Sequence, residues 1–353
     1  MNKLTRFLED WRDRGVFSGA AFAVGTSHGV LEQGTVGTLA WDGEPVTPDA
    51  LWDLASVTKP IAVLPLIFML EQGELCLDDT IAHFLTDYKG TDKADITLFQ
   101  LLTHTGGIPG QQPLYQSCGT REQLMTAVRN LPLRHKPGTY VEYTSQGFMI
   151  LGDIVEKVAG QSLEAVLQGT LFEPLGMSDT LFNPRLQAKT YPIAATEYCA
   201  WRKETVCGEV HDENAVVLGG VAGHAGLFST IGDMSLLCQA MLRHHGAVQG
   251  PLMQGSTAKL MTGHHTAGLN LARALGWQAK DRNDSPAGDL FSPSSYGHTG
   301  FTGTSVWMDP EADLFVALLT NRVHPTRANP AIKRVRAMFH NLAYLACAKR
   351  GQG

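Results

Sequence analysis

Cysteine is sparse in this sequence, with six thiols in 353 residues. Cys76, Cys118, Cys199, Cys207, Cys238 and Cys347 stand far apart with no Cys-x-x-Cys pair, which excludes a zinc-thiolate knuckle and a disulfide framework of the small secreted kind. Long apolar runs are missing as well. The longest, 61–70, contains Pro65 and has about half the length a membrane span needs, so no membrane attachment is expected. The opening MNKLTRFLEDWRDRGVFSG carries charges every few residues and no apolar stretch of signal-peptide length. The expected location is the cytoplasm, which suits unpaired thiols. Basic runs are absent too. The 28 lysines and arginines stand against 34 acidic residues, a net charge of -6, and no nucleic-acid partner is expected. The pairs His244-His245 and His264-His265 lack the i, i+4 spacing that turns two imidazoles to one side of a helix, so they read as surface or loop residues and no metal is expected.

What the sequence does have is apolar material, 44% of the chain, enough to bury a large core without cross-links. Leu4, Phe7, Leu8 and Trp11 mark one face of an opening helix, 3–14. Two β-rich runs, 20–25 and 30–39, flank Thr26-Ser27-His28-Gly29 as a hairpin. Helical periods follow at 59–72, 97–104, 121–130, 146–159 and 163–171. Strand character returns at 305–309 and 314–320, across Pro310-Glu311-Ala312-Asp313, before a closing helix at 330–348. The pattern predicts one α/β (α+β) catalytic domain over 1–353. Its antiparallel β-sheet is built from both chain termini and flanked by helices, giving a lobe of 1–55 with 285–353 and a mainly helical insertion over 56–284. The cleft between lobes is the expected site.

Within Trp52-Asp53-Leu54-Ala55-Ser56-Val57-Thr58-Lys59, serine and lysine lie three apart at a helix start, on one face. A serine hydroxyl is a weak nucleophile until a base takes its proton, and a lysine can serve once burial and nearby positive charge depress its pKa. The helix N-terminus offers backbone N–H to an oxyanion. A capping Ser56 beside a solvated Lys59 is the alternative. Leu54, Ala55 and the apolar helix beyond would bury the segment, however, and a buried lysine needs a partner.

The order Ser56-Val57-Thr58-Lys59, Tyr143-Thr144-Ser145, His298-Thr299-Gly300 resembles the three-motif set of serine β-lactamases and penicillin-binding D,D-peptidases, in its class C β-lactamase-like form. The run Leu101-Leu102-Thr103-His104-Thr105-Gly106-Gly107-Ile108, then Pro137-Gly138 and Pro174-Leu175-Gly176-Met177, are in the same style. The resemblance implies a β-lactamase/transpeptidase-like fold and an acyl-enzyme, with no cofactor. Ser56 attacks an amide or ester, and Lys59 and Tyr143 share the proton transfers. Ser145, His298, Thr299, Gly300 and Phe301 line the substrate site, with the N–H groups of Ser56 and Phe301 as the oxyanion hole. The sequence departs from the family twice, with Ser145 where asparagine is common and His298 where β-lactamases usually have lysine. Losing a fixed cation should weaken the grip on a substrate carboxylate, and a His298 titrating near neutrality should make the site pH-sensitive. Trp277 and Arg322 match recurring positions near the cleft.

The lead-in Val210-His211-Asp212-Glu213-Asn214-Ala215 and the glycine-rich 218–226 resemble a branch of that superfamily which includes cytoplasmic amidases recycling cell-wall muropeptides. His211, Asp212 and His224 either touch substrate or form a structural hydrogen-bond network. The expected partner is a small-molecule or peptide-like substrate. The favoured activity is a cytoplasmic amidase on muropeptides or a small-molecule esterase. A β-lactamase or D,D-carboxypeptidase is the first alternative, and a non-catalytic β-lactam or muropeptide sensor the second, which the intact Ser56, Lys59 and Tyr143 disfavour. Gly25-Thr26-Ser27-His28-Gly29 has the spacing of a nucleophile elbow but leads into a strand, so it reads as a turn. The glycines of 218–226 lack the Lys-Ser/Thr of a phosphate-binding loop.

Overall fold

The strand Gly19–Thr26 points Ala20, Phe22 and Val24 to one side and Ala21 and Ala23 to the other, and both sides are buried, as in a sheet covered on two faces. The computed structural model, which describes residues 2–246 and 252–348, sets this strand second in a six-stranded antiparallel sheet. The order across the sheet is Gly29–Gly37, Gly19–Thr26, Leu314–Thr320, Ser305–Asp309, Tyr296–Thr299 and Gln278–Ala279. Ala20 pairs with Thr320 and Gly25 with Phe315, so the first strand lies directly against the last. Asn321 locks this seam. Its Oδ1 accepts from the amides of Ser18 and Gly19, and its Nδ2 donates to Ser18 Oγ and the carbonyls of Leu39 and Ala195.

On one face Phe22, Val24, Trp307, Val316 and Leu318 pack with Leu4, Leu8, Val335 and Phe339, contributed by the terminal helices Lys3–Asp13 and Ile332–Ala348. Burying each large side chain contributes about 1.5–3 kcal/mol. On the other face Ala21, Ala23, Phe315, Ala317 and Leu319 join a larger core with Met234, Leu237, Cys238 and Met241 of the helix Ile231–Gly246. That helix lies within 56–284 in sequence, yet it packs across three strands of the sheet. The alanines on this face leave room for its approach.

Several elements match the expected boundaries, including Arg121–Asn130, Gln146–Ala159, Ser305–Asp309 and Leu314–Thr320. Others differ for identifiable reasons. The helix expected over 59–72 is two, Thr58–Ala62 and Leu64–Gln72, because Pro65 has no N–H to give the carbonyl of Ile61. Thr97 and Gln100 form a reciprocal capping box that starts a short helix, Leu98–Leu102, and His104 turns left-handed at φ 58°. The helix Leu163–Leu167 widens into a π-turn, Gln168–Phe172. Gly25 to Gly29 is the hairpin turn. His264 is exposed and His265 bonds the carbonyl of Leu260, whereas the side chains of His244 and His245 lie outside the described residues. Among the described residues no helix is long and apolar enough to cross a membrane.

Candidate active site

A short strand, Trp52–Asp53, pairs with Leu227–Ser229 and delivers the chain to Ser56 through a sharp bend. Buried Asp53 makes the bend by accepting the amide N–H of Ala55 at 2.7 Å and that of His211 at 2.6 Å. Burial pushes its carboxyl pKa up while these bonds pull against it. Ala55 is held at φ 47°, a left-handed conformation that costs a residue with a Cβ about 1–2 kcal/mol. Ser56 follows within the 3₁₀ turn Ala55–Val57, which runs into the helix Thr58–Ala62. One turn on, the fully buried Lys59 places Nζ 3.0 Å from Ser56 Oγ, 3.2 Å from the carbonyl of His224 and 3.4 Å from Ser145 Oγ. Three N–H groups meet three acceptors, one of them the nucleophile. Lys59 Nζ also lies 4.9 Å from the ring centroid of Tyr143 and 5.9 Å from that of Phe148.

The strand Tyr296–Thr299 forms the facing wall. Behind it Thr302 Oγ1 donates to the carbonyl of Asp53 at 2.7 Å and Thr304 Oγ1 to that of Leu54 at 2.9 Å, stitching the turn after Gly300 to the loop that presents Ser56. A Cβ at position 300 would sit 2.0 Å from Thr304 Oγ1 and 2.4 Å from the carbonyl oxygen of Leu54, so glycine is required there. Arg336 of the closing helix is buried and donates to the carbonyls of Gly300 at 2.5 Å and Thr304 at 2.8 Å. Burial, then Arg322, lowers its pKa to about 9. Ser56, Tyr143, His298, Thr299, Gly300 and Phe301 thus line one cleft of about 450 Å³, with Lys59 and Ser145 behind the nucleophile. Phe301, 39% exposed, is flanked by the guanidinium groups of Arg322 at 4.3 Å and Arg327 at 5.2 Å.

His298 corrects one expectation. It is buried, and burial first, then the cations of Lys59 and Arg273, hold its pKa well below 6.5. The ring is neutral across the physiological range and does not titrate there, because a buried imidazole beside two cations resists a third positive charge. Its Nδ1 lies 2.9 Å from the carbonyl of Thr299, which only accepts, so Nδ1 carries the proton and Nε2 remains an acceptor.

Sequence reasoning missed two side chains at this site. His104, also kept neutral by burial and by the cations of Arg273 and Lys59, accepts the amide of Thr144 at 3.2 Å and lies 4.8 Å from the rings of both Tyr143 and Phe148. Arg273 is buried in the cleft wall with its guanidinium 5.6 Å from the Tyr143 ring. A signal existed, since Leu271-Ala272-Arg273-Ala274-Leu275 puts a lone cation in an apolar run. The carbonyl of His224, being backbone, leaves no such mark.

The glycine-rich segment acquires a role. A Cβ at Gly223 would lie 2.1 Å from the carbonyl oxygen of Phe148, so only glycine lets the segment press against the helix Gln146–Ala159 and set the His224 carbonyl on Lys59. His224 Nε2 meets Asp212 Oδ1 at 3.0 Å, and Asp212 caps the helix Glu213–Val217 through the amide of Ala215. Burial opposes ionisation of Asp212, but His224, the Ala215 amide and Lys59 together hold its pKa below the usual carboxylate range. His211 Nε2 lies 2.9 Å from Glu197, which Arg327 also binds. Against burial, these partners keep Glu197 at about 2. His211, Asp212 and His224 therefore belong to a hydrogen-bond network beneath the cleft. Trp277 packs in the core edge-on to Tyr296, 5.6 Å away, whereas Arg322 lines the cleft.

The family model described as Beta-lactamase matches residues 4–338. A protein of Escherichia coli (strain K12) named "Putative D-alanyl-D-alanine carboxypeptidase" is 32% identical over 94% of this chain and 84% of its own length. Among solved structures, the octameric penicillin-binding protein homologue from Pyrococcus abyssi aligns with a TM-score of 0.75 at 20% identity, over 96% of this chain and 77% of that one. EstCE1, a hydrolase with promiscuous acyltransferase activity, aligns with a TM-score of 0.78 at 23% identity, over 97% and 98%. A match this long, with a relative this similar across most of both lengths, places the chain in the β-lactamase family, among its serine hydrolases.

Proposed function

We propose that the enzyme hydrolyses an amide bond next to the carboxyl-terminal residue of cell-wall-derived peptides, as a cytoplasmic amidase of the D,D-carboxypeptidase type. The observation that carries this reading is charge. Arg273, Arg322, Arg327, Lys333 and Arg336 line the cleft with no aspartate or glutamate among the described lining residues, on a protein of net charge -6. A cation-lined cleft concentrates anions, and a peptide ending in a free carboxylate is one. The carboxypeptidase names of the relatives support the same substrate class, and the free thiols of Cys76, Cys118, Cys199, Cys207 and Cys238 suit a reducing compartment.

In this mechanism Ser56 Oγ passes its proton to the Lys59–Tyr143 pair, which shares the proton transfers, as it attacks the carbonyl carbon. The amide N–H groups of Ser56 and Phe301 receive the oxyanion. Tyr143 relays a proton to the departing amine, and water then attacks the acyl-enzyme by the same path in reverse. A small-ester hydrolase is the second reading, favoured by the exposed ring of Phe301 at the cleft and by the likeness to EstCE1.

Intact-protein mass spectrometry tests the proposal, with wild type and Ser56→Ala each given a penicillin, a fluorophosphonate and a nitrophenyl ester, alongside an assay for D-alanine released from N-acetyl-D-alanyl-D-alanine. Adducts and D-alanine in wild type alone are expected. Ester turnover with no D-alanine selects the esterase, and adducts on Ser56→Ala remove the mechanism.

A further inference from the structure

Tyr143 stands in neither a helix nor a strand, and its side chain makes no hydrogen bond among the described residues. Its aim therefore depends on the backbone to either side and on what packs against the ring. Both come from one residue. The carbonyl of His104 accepts the amide of Glu142 at 3.0 Å, and its Nδ1 accepts the amide of Thr144 at 3.2 Å. The N–H groups immediately before and after Tyr143 thus end on the same histidine, whose ring centroid lies 4.8 Å from that of the phenol. The next residues extend the hold, since the carbonyls of Thr105 and Gly107 accept the amides of Gly138 at 2.7 Å and Arg134 at 2.8 Å. The segment 104–107 carries the approach to Tyr143.

Packing alone does not require a histidine at this place. His104 is buried and held left-handed at φ 58°, and with Nδ1 accepting, its proton sits on Nε2, which is buried without a partner. A hydrocarbon ring would fill the space without burying an unpaired N–H, but it could not take the Thr144 amide. Nδ1 accepts only while the ring is neutral, and burial first, then the cations of Arg273 and Lys59, keeps it so. His104 is not among the residues that line the cleft, so it acts through its neighbour. We propose that His104 is the positioning residue of Tyr143: its Nδ1 carries the Thr144 amide and, with the ring packed against the phenol, keeps Tyr143 where it can exchange protons with Lys59 and the leaving group. This rests on the role given to Tyr143 above.

Two substitutions test the acceptor apart from the ring. His104→Asn and His104→Gly both lack the imidazole and both tolerate a left-handed backbone, but only asparagine puts an acceptor, Oδ1, in the place of Nδ1. Phenyl acetate and para-nitrophenyl acetate give the same acetyl-enzyme, and kcat/KM reads acylation alone, so a difference between them lies in the leaving group. Nitrophenolate departs unaided, whereas phenolate needs a proton. In His104→Gly kcat/KM for phenyl acetate falls at least about tenfold further than for para-nitrophenyl acetate, and His104→Asn recovers most of that ratio. In a Tyr143→Phe background His104→Gly costs little more. Equal losses on the two esters, no recovery in His104→Asn, or full additivity with Tyr143→Phe overturns the assignment. NMR spectra of protein labelled at tyrosine Cζ give a readout without turnover, the line of Tyr143 being the one lost in Tyr143→Phe. A line shifted or broadened in His104→Gly relative to His104→Asn is expected, and an identical line in the two overturns the assignment. Wild type inert to both esters would instead sink the hydrolase reading, and the spectra would still decide the role of His104.

Discussion

The carboxylate of Asp53 holds the amide of Ala55 at 2.7 Å, and with it the left-handed bend that aims Ser56. The other carboxylate oxygen holds the amide of His211, so one side chain ties the nucleophile's loop to the network beneath the cleft. Asp53→Asn keeps an acceptor for one amide and turns a donor against the other. A loss of about 2 kcal/mol by urea unfolding is expected, with acylation slowed at least about tenfold.

Ala55→Gly acts in the opposite direction on stability. Removing the Cβ at φ 47° relieves about 1 kcal/mol of backbone strain, so the urea midpoint rises. A lower midpoint would show that Ala55 is not strained.

Lys59 gives one N–H to each of three acceptors, and the nucleophile is the nearest. Lys59→Ala is expected to cut kcat on a nitrophenyl ester by about 1,000-fold with little change in KM, the size of a lost proton acceptor. Ser145→Ala removes only the longest of the three contacts and should cost about tenfold or less by the same reasoning.

Gly223→Ala forces a Cβ to 2.1 Å from the carbonyl oxygen of Phe148. A destabilisation of about 2 kcal/mol is expected from this overpacking, together with lower kcat as the His224 carbonyl moves off Lys59. Gly169→Ala, where a Cβ meets nothing within 4 Å, is the control and leaves both unchanged.

Three buried histidines give the fold an acid limit. Burial first, reinforced by nearby cations, keeps His104 and His298 well below 6.5 and His340 at about 4. Their folded-state pKa values lie below the unfolded value, so the unfolded chain takes up protons first. The stabilisation is complete above pH 6.5 and drains away as pH falls towards 4, by up to about 1.4 kcal/mol per pH unit for each ring. Urea midpoints from pH 7.5 to 4 read this directly, and His340→Gln should flatten the slope.

The site was legible where side chains repeat at fixed offsets. Ser56 and Lys59 three apart, Tyr143 at a helix entrance and Gly300 after a strand all carry spacing that survives in one dimension. Arg273 and His104 reach the cleft through tertiary packing: the apolar run 271–275 marks Arg273 as a cation in need of a partner, but no period tells which surface it will face. The helix Ile231–Gly246 escaped for a related reason. Leu236 is exposed while Ser235 is buried, and with most of its described length covered it shows no polar stripe. The break at Pro65 was the reverse case, a signal present in sequence that the apolar run around it concealed.

The pairing of Ala20 with Thr320 reaches beyond geometry into biosynthesis. A ribosome adding roughly 5–20 residues per second releases the first hairpin on the order of 15–60 s before its partner strand emerges. Throughout that interval Phe22 and Val24 lack the cover they have in the finished sheet, and closing so long a loop is entropically slow. The nascent chain is therefore most exposed to aggregation and to chaperone capture at its first strand. The turn that stitches Gly300 to the nucleophile's loop is translated long after Ser56, so a product truncated between the two keeps Ser56 and Lys59 yet has no facing wall against which to use them.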